Sequence, residues 1–258
     1  MRILLLALIL LNWAAAAETV TLPGPQGVML RAELHRPAGV ARGAVVALHG
    51  CGGPFGARDR QWSEALTAAG QIVLFPDSFG SRGLGSQCRA QGRTVTASGL
   101  RRGDAIAAAA WLAAQPGVPP GRMVLLGWSD GGSTVLAVAQ AGKGLPGDLF
   151  RRFIAFYPGC RVASVTKGWA AEGRIDILMG EADDWTPIAP CRMLAARAAG
   201  VTLHAFAGAY HDFDAPVPVR VMRDIPTSQN ADHSVHVGGD AAARAAALVL
   251  VPHLLEAE

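Results

Sequence analysis

The chain reads as one α/β domain, a mostly parallel central sheet covered by helices on both faces. Three observations predict this. Short β-branched or apolar runs alternate with Ala-rich helical stretches along most of the chain. Gly and Pro cluster at the junctions, as at 116–121 and 142–147. A composition of 51% hydrophobic and 17% charged residues over 258 positions supplies a large core and excludes a disordered chain.

The elements follow in order. Arg2 precedes an unbroken apolar run over 3–10, continuing through Leu11 to the small residues 14–17. A short positive start, an apolar stretch of about ten residues and an Ala-x-Ala end predict a signal peptide cleaved after Ala17. The run is too short for the roughly 30 Å of a bilayer core. No cysteine near the cleavage site offers a lipid attachment point. Strands are expected at 28–34, 44–48, 72–75, 123–126, 153–156, 175–178 and 201–206. Helices are expected at 60–69, 100–114, 133–141, 190–199 and 240–255. The last is interrupted by Arg244 and Pro252, so it does not read as a membrane span. Neither a repeat nor a linker divides residues 18–258, which form one domain on this reading.

The net charge is only +3, and basic residues are at most paired, as in Arg101-Arg102 and Arg151-Arg152. Nucleic acid is therefore not an expected partner. The exported chain should also leave the membrane once its signal is removed. Four cysteines, Cys51, Cys88, Cys160 and Cys191, lack the close pairs of a zinc site. In an oxidising compartment, periplasmic or extracellular, they read as two disulfides with three possible connectivities.

The sharpest chemical signal is Gly127-Trp128-Ser129-Asp130-Gly131, followed by Gly132. It stands between a predicted strand and a predicted helix, the context of a nucleophile elbow. Flanking glycines relieve the crowding of so tight a turn, which lifts the Ser129 hydroxyl above the sheet. A serine capping a helix on a Gly turn is the plainer alternative. The serine needs a base, and the base needs an orienting acid. Asp183 and Asp184 follow the strand at 175–178, and His211 follows the strand at 201–206. All lie beyond the carboxyl ends of strands, where reactive groups gather in parallel sheets. Spacing does not separate Asp183 from Asp184. Among rival histidines, His204 falls inside a strand. Asp232, His233, His236 and Asp240 lack the spacing of a metal site and read as a solvated loop. The loop His49-Gly50-Cys51-Gly52-Gly53 would turn backbone amides toward a tetrahedral intermediate. The N–H groups of Cys51 and Asp130 are the candidate oxyanion donors.

Together these motifs resemble the dienelactone hydrolase family of the α/β-hydrolase fold. The likeness runs from about residue 27 to 255. It includes Asp77-Ser78-Phe79, Gly180-Glu181-Ala182-Asp183-Asp184-Trp185-Thr186-Pro187 and Tyr210-His211-Asp212-Phe213-Asp214. The resemblance selects Asp183, four residues before Pro187, and maps the catalytic histidine onto His211. It also raises Arg82, after Asp77, as a candidate for pairing a substrate carboxylate; a surface arginine is the alternative. In the strand order typical of this fold, it implies disulfides Cys51–Cys88 and Cys160–Cys191. Two departures stand out: members that cleave dienelactone use cysteine and work in the cytoplasm, whereas this chain carries Ser129 and a predicted signal.

The expected activity is hydrolysis of carboxylic esters or lactones by Ser129, His211 and Asp183, without cofactor or metal. Amide hydrolysis is the alternative chemistry, although these residues hold no second large domain to recruit peptides. A non-catalytic binding protein on the same scaffold is the alternative of another class. The short stretch between residue 178 and His211 leaves no room there for a large lid, favouring small or exposed esters.

Overall fold

The computed structural model describes residues 17–147 and 149–256, so the predicted signal segment lies, up to residue 16, outside the described residues. Within these described residues ten strands and six α-helices follow in order. They are β1 (Glu18–Pro23), β2 (Met29–His35), β3 (Gly43–Leu48), α1 (Gly56–Ala68), β4 (Gln71–Pro76), α2 (Leu100–Ala113), β5 (Met123–Trp128) and α3 (Asp130–Val138). After them come β6 (Arg152–Phe156), α4 (Arg161–Val165), β7 (Arg174–Gly180), α5 (Ile188–Arg197), β8 (Val201–Phe206), β9 (Arg220–Met222), β10 (Val235–Val237) and α6 (Ala241–Glu256).

Eight strands form one sheet in the order β1-β2-β4-β3-β5-β6-β7-β8. From β4 to β8 every pairing is parallel, and β2 alone runs against its neighbours. The buried strands follow from their composition. β3 and β5 are buried at every position, as a strand covered on both faces must be. β2 alternates instead, burying Leu30, Ala32 and Leu34 while Met29, Arg31 and Glu33 face outward.

The chain passes from β3 to β4 on one side, then crosses back over β3 to reach β5. Right-handed crossovers therefore put α1 on one face of the sheet and α2, α3 and α5 on the other. α6 returns to pack on α1. The reversal of direction opens a crevice between the carboxyl ends of β3 and β5, the usual place for a ligand in such sheets. In α2 the buried residues Arg101, Asp104, Ala105, Ala108, Ala109 and Leu112 form one helical stripe. Its alanines let the helix lie close to the sheet, and its two charged members reach beneath the crevice.

Two disulfides join the loops at the carboxyl edge. Cys51, after β3, is bonded to Cys88, beyond β4, with the Cα atoms 4.9 Å apart. Cys160, before α4, is bonded to Cys191 in α5 at a Cα separation of 5.1 Å. Among the described residues no helix is long and apolar enough to cross a membrane.

Candidate active site

Ser129 is the hinge of the turn from β5 into α3, with φ 55° and ψ −114°. A non-glycine residue held there stores about 1–3 kcal/mol of strain. The turn is held at both ends: Ser129 N–H donates to Phe156 O at 2.9 Å, and Ser133 N–H donates to Ser129 O at 2.8 Å. Glycine is required on either side. A Cβ on Gly127 would lie 2.5 Å from the Gly131 carbonyl, and one on Gly131 would lie 2.2 Å from Leu48 O. α3 therefore starts at residue 130, three positions before the predicted start, because Gly131 and Gly132 are packing residues within the helix.

His211 reaches Ser129 from the loop after β8, with Nε2 2.9 Å from Oγ. Its Nδ1 lies 2.8 Å from Asp183 Oδ2, so Asp183 rather than Asp184 faces the imidazole. The other Asp183 oxygen accepts hydrogen bonds from Trp185 N–H at 2.9 Å and Thr186 N–H at 2.8 Å. The Thr186 hydroxyl donates to Asp183 Oδ2 at 2.9 Å and stands 3.1 Å from His211 Nδ1. His211 lies against the rings of Tyr157 and Trp185, at centroid distances of 4.6 and 4.8 Å. Burial opposes its charged form. The Asp183 carboxylate, through charge and hydrogen bond, overcomes that penalty and raises the imidazole above its ordinary value.

The loop after β3 lies against the elbow. A Cβ on Gly50 would stand 3.4 Å from that of Ser129, and both Cys51 and Asp130 line the cleft beside the serine. Arg101 ties the two parts together. Its guanidinium, 1% exposed, donates to Asp130 Oδ2 at 2.5 Å and to His49 O at 2.5 Å. Arg93 adds a bidentate pair to Asp130, at 2.9 and 2.7 Å. His49 has a structural place. Its Nε2 accepts from Ser78 N–H at 3.1 Å, and its Nδ1 lies 2.7 Å from Gly50 O. Burial first, then the Arg101 charge, holds its pKa well below the ordinary imidazole value and keeps it neutral.

The His211 loop has an anchor of its own. Asp214, fully buried, accepts from Trp62 Nε1 at 2.6 Å, Trp128 Nε1 at 2.8 Å and the Tyr157 hydroxyl at 2.5 Å. One carboxylate thus joins α1, β5 and the end of β6 to a point three residues beyond His211. Burial dominates its titration and raises its pKa despite Arg58 nearby.

Other predicted residues lie elsewhere. Arg82 does not face the cleft and is corrected from a substrate-binding candidate to a structural one. Both of its terminal nitrogens bind the buried Asp104 carboxylate at 2.8 Å, and it donates also to Ser78 O at 2.7 Å. Asp184 pairs with His236, Nδ1 to Oδ2 2.8 Å. His204 pairs with Asp176 at 2.8 Å within the sheet. Asp232 bonds Ser234, and among the described residues no cluster of three or more His, Cys, Asp or Glu is arranged to hold a metal. Sequence reasoning missed Thr186, Arg93, Arg101 and Asp214. Thr186 and Asp214 stand within the motifs that carry the resemblance but had no role assigned, and Arg101 left a signal as a charge on the apolar stripe of α2. The covering segment was also missed: it follows His211 rather than preceding it. There residues 216–239 fold into the β9–β10 hairpin, whose Pro226 and Thr227 wall one cleft and whose Arg220 and Met222 wall another.

Ser129 stands where two cavities meet. The larger, about 920 Å³, extends past Asp130, Ser133, α4 and α5. The smaller, about 280 Å³, lies over Gly50–Gly53 and includes His211.

Comparison with solved structures places this architecture. Esterase 2 of Thermogutta terrifontis superposes with a TM-score of 0.66 at 20% identity, covering 94% of each chain. A protein described as a dienelactone hydrolase, from Klebsiella pneumoniae, gives a TM-score of 0.66 at 16% identity, over 95% of this chain and 100% of its own. The fold is that of the α/β-hydrolases. Dipeptidyl peptidase 4 of Porphyromonas gingivalis shares it with a TM-score of 0.57 at 19% identity, over 76% of this chain. The chain spans about a third (32%) of that peptidase. The family model of the prolyl oligopeptidase family matches residues 58–177, which include the elbow but neither Asp183 nor His211. No curated protein matches the chain.

Proposed function

We propose that the chain is a serine hydrolase of carboxylic esters or lactones, similar in kind to the dienelactone hydrolases but with serine as nucleophile. The observation that carries the reading is the unbroken relay Ser129–His211–Asp183, with links of 2.9 and 2.8 Å, beginning at a strained residue. In this reading His211 Nε2 takes the Ser129 proton as Oγ bonds to the substrate carbonyl carbon. The N–H groups of Cys51 and Asp130 receive the oxyanion. Collapse returns the carbonyl, breaks the bond to the alcohol oxygen and passes the Nε2 proton to it. Water then repeats both steps and releases the acid, restoring Ser129. Asp183 holds the imidazole tautomer and stabilises its cation, while Trp185 N–H, Thr186 N–H and the Thr186 hydroxyl keep Asp183 in place. None of these steps calls on a cofactor.

Short p-nitrophenyl esters test the proposal, with a fluorophosphonate probe read by mass spectrometry. The enzyme should hydrolyse the esters and carry the label on Ser129; turnover that survives unchanged in Ser129→Ala refutes it. The prolyl oligopeptidase family match supports a second reading, cleavage of amides. Dipeptidyl p-nitroanilides distinguish the two, since the ester reading expects them to be turned over far more slowly than esters. The two disulfides and the predicted signal support an exported protein working in an oxidising compartment. N-terminal sequencing of the secreted or periplasmic form should begin at Glu18.

A further inference from the structure

The relay fixes more than a reaction, because it also gives the site a direction. In a tetrahedral intermediate on Ser129 Oγ, the oxyanion points to the Cys51 and Asp130 amides. The departing oxygen must lie within reach of His211 Nε2, which protonates it. The remaining substituent, the acyl chain, then points away from His211. The two cavities at Ser129 differ in just this respect. His211 lines the smaller and is absent from the lining of the larger, which continues instead past Asp130 and Ser133.

Their sizes differ as well. At about 920 Å³ the larger cavity is in the range of drug-sized ligands, whereas about 280 Å³ falls below it. One wall of the larger cavity is apolar: Val165 of α4, Met193 of α5, Pro187 and Pro190, with Trp185. Val165 is 70% exposed and Met193 56%, so bulky side chains are kept in water along the two helices that Cys160–Cys191 joins. Adjoining apolar side chains in water on the rim of a cleft mark a place where an apolar ligand lies. The smaller cavity is bounded by the loop Gly50–Gly53 with Phe55, by Ser86, Asp212 and Arg220, and by Met222 and Trp185, the last shared with the larger cavity.

We propose that the substrates are esters of a bulky, apolar carboxylic acid with a small alcohol. The acyl chain lies along the α4–α5 wall, and the alcohol leaves through the small cavity between the Gly50 loop and Met222. The assignment rests on the ester-hydrolase reading above. It adds an orientation which that reading lacks.

Two isomeric esters test it, because they carry equal apolar bulk on opposite sides of the carbonyl. Methyl 4-phenylbutanoate places the phenylpropyl group on the acyl side; 3-phenylpropyl acetate places it on the alcohol side. The expected kcat/KM is at least tenfold higher for the methyl ester. Met193→Trp, at an exposed position, narrows the large cavity and should lower that ratio at least threefold. Met222→Trp narrows the small one and should raise it. A general structural disturbance would slow both esters alike and leave the ratio unmoved. Equal rates, a preference for the acetate, or two variants that shift the ratio in the same direction each overturn the assignment. So does failure to cleave either ester by protein that still takes the fluorophosphonate on Ser129, a result that leaves the serine-hydrolase reading standing. Loss of both labelling and turnover removes that reading and the assignment with it.

Discussion

Asp214→Ala should unfold this protein more readily than any other single change near the site, while Asp214→Asn should be almost silent. The carboxylate accepts three hydrogen bonds from the buried donors of Trp62, Trp128 and Tyr157. Alanine leaves all three without an acceptor in a site closed to water, and each unsatisfied donor costs about 1–3 kcal/mol. The Tyr157 hydroxyl has some freedom to turn elsewhere, so the sum comes to about 3–6 kcal/mol. Asparagine keeps an oxygen for the two indoles, and its amide can donate to a rotated Tyr157 hydroxyl. It also removes a buried charge whose pKa is raised, mainly by burial, and which therefore favours the folded state less once ionised. These opposing changes should leave Asp214→Asn within about 1 kcal/mol of the wild type. Urea unfolding followed by tryptophan fluorescence measures both variants. Equal stabilities for the alanine and asparagine variants, within about 1 kcal/mol, would refute the hydrogen-bond argument and leave Asp214 as packing alone.

Three further outcomes are expected. Because Asp183 raises the His211 pKa against burial, kcat/KM should rise with pH through an apparent value above about 6.5. In Asp183→Asn the residual activity should titrate lower, since burial then opposes the cation with only the more weakly coupled Asp212 and Asp214 left to favour it; an unchanged midpoint would contradict the coupling. Cys88→Ser releases the loop carrying Cys51 and opens a closure of 37 residues, costing roughly 3–4 kcal/mol in the chain-entropy model. It should also lower kcat by at least tenfold with a smaller effect on KM, read from steady-state kinetics. Arg82→Met should destabilise by about 3–5 kcal/mol because it leaves Asp104 buried without its partner. Its KM for carboxylate-bearing esters should not change, and a specific rise there would restore Arg82 to the substrate.

β3 to β7 were legible from sequence because they are buried on both faces and so appear as apolar runs. β8 matches its predicted bounds, and no end of β3 to β7 differs from its prediction by more than two residues. β1 left little trace: of Glu18–Pro23 only Leu22 is fully buried, an edge strand with one face in water. β9 and β10, at three residues each, are too short to show a period. The elbow could be read because its glycines are demanded by backbone crowding, a local effect. Asp183 and Asp184 could not be separated locally, since adjacent carboxylates have the same chemistry and only tertiary placement sends one to His211 and the other to His236. Arg82 was misread for a related reason. Its partner Asp104 lies 22 residues away on a helix whose inner stripe looks apolar.

The site is assembled from distant parts of the chain, and this sets the order in which it comes into being. Ser129 and its amide donors belong to residues 51–130, whereas His211 lies 82 residues beyond Ser129 and is anchored at residue 214. At ribosomal rates of about 5–20 residues per second, those 82 residues take about 4–16 s to make. On the proposed reading, Ser129 has no base through that interval. On the same reading, reactivity arrives only when the segment carrying His211 docks and Asp214 seats among its aromatic donors. A serine hydrolase built in this way would first become competent as its fold is completed.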